Sequence, residues 1–176
     1  PPHMLVRLLA FSPLSACLHL PRKLASVAFY PANGLLPSNS KMATTTIVGE
    51  RHDLVAQEIR KTLAHYEELK DIIAMLGMEQ LSPDDRKVVG RARRLERFLT
   101  QQFFATEQFS SIAGKDVSMK DALDDGEQIL IEEFKDYPES CFYMIWTVDQ
   151  ATAQAKTAQH TKPTTPGDLT SEQEPP

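Results

Sequence analysis

The stretch ERHDLVAQEIRKTLAHYEELKDIIAML, residues 50–76, decides the fold. Within it, Val55, Ile59, Leu63, Tyr66, Leu69, Ile73 and Leu76 recur at steps of three and four. A helix closes a turn roughly every 3.6 residues, so this spacing gathers the apolar side chains onto one stripe and predicts a long helix buried along it. Gly77 stands where a left-handed C-terminal cap is expected. Ser82, Pro83 and Asp85 then read as an N-cap, a first helical position and a reciprocal partner three residues on. The apolar face of the helix they open is Val88, Val89, Ala92, Leu95, Phe98 and Leu99. Gly114 interrupts the chain, and Ser118 with Asp121 repeats the capping pattern before Leu123, Leu130, Ile131 and Phe134. Pro138 ends that stretch, and a last helix is expected from Ser140 to about Lys156. With no hairpin signal in this region, the fold class is mainly α, a small helical bundle.

The ends differ from the middle. No acidic residue precedes Glu50, whereas Glu50 to Ala155 holds 21 acids against 13 bases. Residues 1–21 are acid-free and apolar from Met4 to Leu20. A targeting peptide is one reading, and a truncated core strand or diverged remnant is the other. The tail, residues 157–176, carries Pro163, Pro166, Pro175 and Pro176 among Thr, Gln and Glu and reads as disordered. A net charge of −5 argues against a generally basic chain that coats nucleic acid. Cys17 and Cys141 are too few for a disulfide scaffold, and their spacing fits no zinc site. The glycines at 34, 49, 77, 90, 114, 126 and 167 form no GxxxxGK cradle, which excludes a P-loop hydrolase built from this chain alone.

Three groups of residues invite a chemical reading. Asp121, Asp124, Asp125, Glu127, Glu132, Glu133 and Asp136 crowd one segment but wrap around a helix, so a solvated face is preferred to a metal or acid–base site. Arg86, Lys87, Arg91, Arg93, Arg94 and Arg97 form a cationic run. A solvent face or ion pairs within the chain are preferred to nucleic-acid binding there. Phe103, Thr106 and Phe109, with Tyr30 far upstream, suit either core packing or a stack against a flat base. No residue set marks a catalytic dyad, and the five histidines share no metal-ligand spacing.

Several ordered motifs coincide with one family. Ile47-Val-Gly-Glu-Arg-His52, Tyr66-Glu-Glu-Leu-Lys-Asp-Ile-Ile-Ala-Met-Leu-Gly77, Gly90-Arg-Ala-Arg-Arg-Leu-Glu-Arg-Phe-Leu-Thr100, Phe103-Phe104 and Tyr137-Pro-Glu-Ser-Cys-Phe-Tyr-Met-Ile145 resemble the β subunit of F-type rotary ATP synthases. Arg22-Lys-Leu-Ala-Ser26 and Tyr30-Pro-Ala32 occupy the matching places upstream, so the likeness covers about residues 22–155. The resemblance implies a remnant of the catalytic nucleotide-binding domain over 22–46 and the C-terminal helical domain over 47–156. It also implies that the P-loop lysine, the glutamate that positions water and the magnesium ligands are missing, leaving an isolated chain that is not catalytic.

By the same resemblance, Tyr30, Phe103, Thr106 and Phe109 line an adenine pocket that holds at most the adenine moiety of ATP or ADP, with Mg2+ only in the intact family enzyme. Glu79, Gln80, Leu81, Ser82, Pro83, Asp84 and Asp85 match the DELSEED loop that pushes on the central stalk. The implied partners are the α and γ subunits of a hetero-oligomeric catalytic head, peripheral to a membrane without direct insertion. That head faces the bacterial cytoplasm, the mitochondrial matrix or the chloroplast stroma. The second functional reading is a non-catalytic helical module that binds synthase subunits. Departures from the family pattern include Gln80 and Pro83 in place of acids, Gln102 in place of a proline, and Trp146-Thr147 in place of a glycine-containing bend. Asp53 replaces a tyrosine, and Asn33-Gly34-Leu35-Leu36 replaces a valine-aspartate-proline-leucine run. These mark a partial, diverged copy whose stalk contact keeps its packing and loses part of its charge.

Overall fold

The computed structural model describes residues 13–131 and 134–160. Its helices are α1 (Arg22–Ser26), α2 (Thr45–Val48), α3 (Glu50–Leu76), α4 (Pro83–Phe98), α5 (Glu107–Ser110), α6 (Met119–Leu130) and α7 (Val148–His160). A two-stranded antiparallel pair joins β1 (Ala16–Cys17) to β2 (Asn39–Ser40), with Ala16 opposite Ser40 and Cys17 opposite Asn39.

The long helix forms where the apolar stripe predicts it. Val55, Leu63, Tyr66 and Leu69 are buried, and Ile59 and Ile73 are packed against the core. Its short connection to α4 folds the chain into a helical hairpin, and α4 supplies the centre of the core through Val89, Ala92, Leu95 and Phe98. Ile129 of α6 and Val148, Ala151 and Ala155 of α7 close the other sides. Phe134 stands edge-on to Tyr137 at 5.5 Å and to Phe142 at 5.9 Å, geometry in which positive ring edges meet negative faces. Gly126 lies where α6 crosses α3, and a Cβ there would touch Ile59 at 3.5 Å.

The N-cap bond of each capping pattern is realised, while the Asp85 carboxylate takes the Ser82 hydroxyl. The Ser82 hydroxyl oxygen accepts the Asp85 N–H at 3.1 Å, and Ser118 accepts that of Asp121 at 3.1 Å. Each satisfies an amide that the first helical turn leaves without a partner.

Four expectations are corrected. Leu76 is 63% exposed and Ile131 is also exposed, because each sits at a helix end beyond the reach of the packed partner. Gly77 has a positive φ of 82° but an extended ψ of 167°, so it is not a left-handed cap; its N–H still closes on the Ile73 carbonyl at 2.9 Å. The third helix stops at Leu130 and does not run on toward Pro138. The last helix starts at Val148, not Ser140, and residues 139–142 make a single 3-10 turn. The cause of this last difference lies at Met144. Its N–H bonds to Thr100 Oγ1 at 3.2 Å and its carbonyl accepts from Gln102 Nε2 at 3.0 Å, so its backbone is bonded sideways and unfit for a helical ladder. Met144 also takes a positive φ of 55°.

The truncated-strand reading of the leader finds Ala16–Cys17 paired, while the targeting reading of residues 1–12 lies outside the described residues. Helix α7 continues to His160, and the disorder expected of the tail falls, from 161 onward, outside them too. No helix among the described residues is long and apolar enough to cross a membrane.

Two stability predictions follow from this packing. Leu95→Ala, at a fully buried position, should lower stability in urea unfolding by about 2–5 kcal/mol, whereas Leu76→Ala should stay within about 0.5 kcal/mol. Asp125 provides the second. Its Oδ2 accepts the Val148 N–H at 3.1 Å where α7 begins. Burial pushes its pKa up, the Val148 hydrogen bond opposes this, and Asp149, Asp121 and Asp124 add to the rise. The folded state therefore binds this proton more tightly than the unfolded state, and the penalty on the charged carboxylate is lifted as pH falls through the raised pKa. Asp125→Asn keeps an acceptor for Val148 and removes the charge. It should be at least as stable as the wild type at neutral pH, with a flatter stability curve through the acid range; a clear loss at neutral pH would contradict this account.

Candidate functional site

The tip of the hairpin is built from a short segment with firm anchors. Residues 78–80 form a 3-10 turn, Leu81 is buried, and Pro83 opens α4. Arg86 reaches back to donate from Nη2 to the Glu79 carbonyl at 2.7 Å and from Nε to the Leu81 carbonyl at 3.1 Å. These bonds satisfy carbonyls that the turn would otherwise leave to water. Asp85 is committed on both oxygens. Oδ2 accepts from the Ser82 hydroxyl at 2.8 Å, and Oδ1 lies 3.5 Å from Nε2 of His65. Glu79, Gln80, Ser82 and Pro83 are exposed, and the Asp84 side chain is 91% exposed, held only by Lys87 at 3.0 Å. Met75 and Leu76 add apolar surface beside them. The tip thus presents two acids and two apolar side chains on a rigid base, while Leu81 and Asp85 face inward.

The aromatic segment lies elsewhere. Gln101 N–H donates to the Tyr30 carbonyl at 2.9 Å, bringing a loop 71 residues upstream against the start of the segment. Tyr30 Oη donates to the Ala25 carbonyl at 3.3 Å, and Tyr143 Oη donates to that of Ala28 at 2.7 Å. Burial raises the Tyr143 pKa, with nearby Tyr30 adding to the rise and Arg97 opposing it. Phe103 is 47% and Phe104 54% exposed, which is more than ordinary core packing allows. Thr106 Oγ1 bonds to the Phe103 carbonyl at 2.9 Å. Phe109 belongs to α5, and its side chain lies outside the described residues. The structure therefore brings Tyr30 next to the segment that carries Phe103 and Thr106, with an open aromatic surface there.

A cleft opens away from both of these places. A cleft of about 490 Å³ separates Leu24, Phe29 and Leu35 from Leu63, Tyr66 and Leu99. At its edge Lys70 is held by Glu67 at 2.8 Å and Glu96 at 3.3 Å. Burial works against that ammonium, but the two carboxylates more than offset it and raise its pKa. Tyr30, Phe103 and Thr106 do not line this cleft, and the Lys70 at its edge is already compensated.

The cationic run is wired into the chain. Arg94 is buried and donates to the Lys135 carbonyl at 3.2 Å, and Arg91 donates to that of Leu130 at 3.1 Å. Arg93 bonds to Tyr66 Oη at 3.2 Å, and Glu139 holds Arg93 at 3.4 Å and Arg97 at 3.6 Å. Arg94 thus departs from the expected solvent face. The acidic helix is equally engaged: Arg51 pairs with Asp124 at 2.6 Å and with Glu127. Among the described residues, no three His, Cys, Asp or Glu side chains come together as a metal-binding set.

Residues 41–137 match the family model described as the C-terminal domain of V and A type ATP synthase. The chain belongs to this ATP synthase family. It is 65% identical over 153 residues to ATP synthase subunit beta 1 of Marinomonas sp. (strain MWYL1), a match covering 87% of this chain and 31% of the relative. It is 62% identical over 160 residues to ATP synthase subunit beta 2 of Albidiferax ferrireducens, covering 91% and 31%. The chain therefore spans about a third of the length of these curated relatives. Among solved structures, an ATP synthase subunit NeqB from Nanoarcheaum equitans superposes with a TM-score of 0.59 at 23% identity, covering 73% of this chain and 30% of that one, which establishes the shared fold. The β-subunit resemblance and the helical fold class read from the motifs agree with these matches.

Nothing in the sequence marks the residues that support the ATP synthase motifs for that role, although Arg86 belongs to the cationic run and Gln102 is a departure from the family pattern. Arg86 and His65 around the tip, and Gln102 and Lys115 beside the aromatic segment, act through partners distant in sequence or through backbone carbonyls. The ion-pair reading of the cationic run was the nearest signal. For the tip, Ser82→Ala should cost about 1 kcal/mol, the usual loss when a side-chain cap is removed. Arg86→Met should speed amide exchange over residues 78–82 without unfolding α3; unchanged exchange there would show that the two carbonyl bonds do not hold the loop.

Proposed function

We propose that this chain is the stalk-contacting, adenine-flanking portion of an ATP synthase β subunit and is not catalytic by itself. Residues 22–46 are then the end of the nucleotide-binding domain, residues 47–156 the helical domain, and the α and γ subunits its neighbours in a peripheral catalytic head. The observation that carries this reading is the hairpin tip: Glu79 and Asp84 project outward while Leu81, Arg86 and the Ser82 cap fix the loop from behind. A push on such a tip passes into the helices and does not fold the loop back. The exposed Met75 and Leu76 supply contact by packing, and the reduced acid count leaves a smaller electrostatic share.

For nucleotide, the residues fit the base and nothing further. Phe103 presents a ring, and Tyr30 is held beside its segment. Base stacking of this kind contributes on the order of 0.5–1.5 kcal/mol per aromatic contact. With no GxxxxGK loop in the sequence and no carboxylate set for Mg2+ among the described residues, ADP should be held weakly and through its base alone.

The test uses the full chain and a γ subunit purified from a relative's ATP synthase. Binding should weaken severalfold in Met75→Ser/Leu76→Ser and less in Glu79→Gln/Asp84→Asn, with only a shallow salt dependence. Binding indifferent to both double variants, or ATP turnover by the chain alone, would overturn the reading.

A further inference from the structure

A set of contacts around residues 100–117 ties the aromatic segment to the closing bend. Gln102 immediately precedes Phe103, and its side-chain Nε2 donates to the Met144 carbonyl at 3.0 Å. Its own carbonyl accepts from Lys115 N–H at 3.1 Å. The Lys115 ammonium in turn lies 3.6 Å from the ring centroid of Trp146, a distance at which a cation is drawn to the negative face of the indole. Between these points, Gly114 N–H donates to Glu107 Oε1 at 2.6 Å, and Gly114 sits so close to Phe104 that a Cβ would collide with its ring. The Trp146 N–H bonds to Gln150 Oε1 at 3.0 Å, fastening the bend to α7. The segment is therefore held from the far end of the chain through Gln102 and Lys115.

We infer that Gln102, Lys115 and Trp146 form a clasp that positions the Phe103–Thr106 aromatic surface for an adenine base. They are positioning residues: the rings meet the base, and the clasp sets where the rings stand. The inference rests on the base-binding reading proposed above. The geometry favours a clasp over incidental contact because its two links, the Gln102 side-chain bond and the Lys115–Trp146 stack, end two residues apart at Met144 and Trp146 and are joined by the Lys115 N–H to the Gln102 carbonyl. Trp146 is the only tryptophan in the sequence, so its emission reports the clasp directly.

The experiment takes the full chain with Lys115→Met, Lys115→Arg and Gln102→Leu, and first measures them without ligand. Lys115→Met should change the Trp146 emission and speed amide exchange over residues 102–107 by about threefold to tenfold, the factor set by a contact of this strength. Lys115→Arg, which keeps a cation over the ring, should restore both. Gln102→Leu should speed the same amides while leaving the emission nearly unchanged. If Lys115→Met alters neither signal, there is no clasp.

ADP at millimolar concentration is then added and followed by saturation-transfer NMR on its adenine protons, with Phe103→Ala as the reference for a lost platform. Weaker transfer in Lys115→Met and Gln102→Leu, recovered in Lys115→Arg, is the expected result. Full transfer in variants whose ligand-free exchange has risen would overturn the positioning role. If wild type and Phe103→Ala give equally little transfer, the base-binding reading fails, and the positioning role falls with it. The ligand-free emission and exchange still decide separately whether the clasp exists.

Discussion

Everything else in the chain depends on the burial of one face of α4. Val89, Ala92, Leu95 and Phe98 pack in the space between α3, α6 and the segment that leads into α7. Ala92 is as fully buried as the larger side chains beside it, and it shares one core with Leu63, Tyr66 and Leu95. Without that face α3 would be a long helix with an unpaired stripe, and the short closing turns would have nothing to fold against.

The same helix solves a second problem with its other face. Beyond α6, residues 134–138 run through turns, and carbonyls there and at the end of α6 need donors from elsewhere. Arg91 and Arg94 provide them, and Arg93 and Arg97 gather Glu139. Guanidinium groups suit this work because they are planar, keep their charge and carry five donors each. A run of bases that looks in sequence like a surface for polyanions is a scaffold for an irregular stretch of backbone. The net acidity of the domain is balanced locally in the same manner, as Arg51 shows between Asp124 and Glu127.

How legible this was in the sequence follows from how local each determinant is. The hairpin could be read because helical periodicity, Gly77, Ser82 and Pro83 all act within a few residues of themselves. The start of α7 could not. Ser140 to Ile145 carries no local stop signal, and the hydrogen bonds of Met144 to Thr100 and Gln102, more than forty residues away in sequence, take its backbone out of a helical ladder. Leu76 fits the apolar repeat perfectly well but lies where the partner helix has ended. For the candidate site, motif likeness located the tip and the aromatic segment. The exposure of Phe103 and the supports behind both regions had no signature short of the fold itself.

The anchoring of the tip has a mechanical consequence. Helix α3 has 27 residues, which at about 1.5 Å per residue makes a rod of about 40 Å. With Leu81 and Arg86 locking the connecting turn, the far end of that rod cannot move independently of its root. A tilt of about 10° at the base would carry Glu79 and Asp84 through an arc of about 7 Å, larger than the pitch of a helical turn. A modest tilt at the root of α3 is thereby amplified into a displacement the size of a side chain and more.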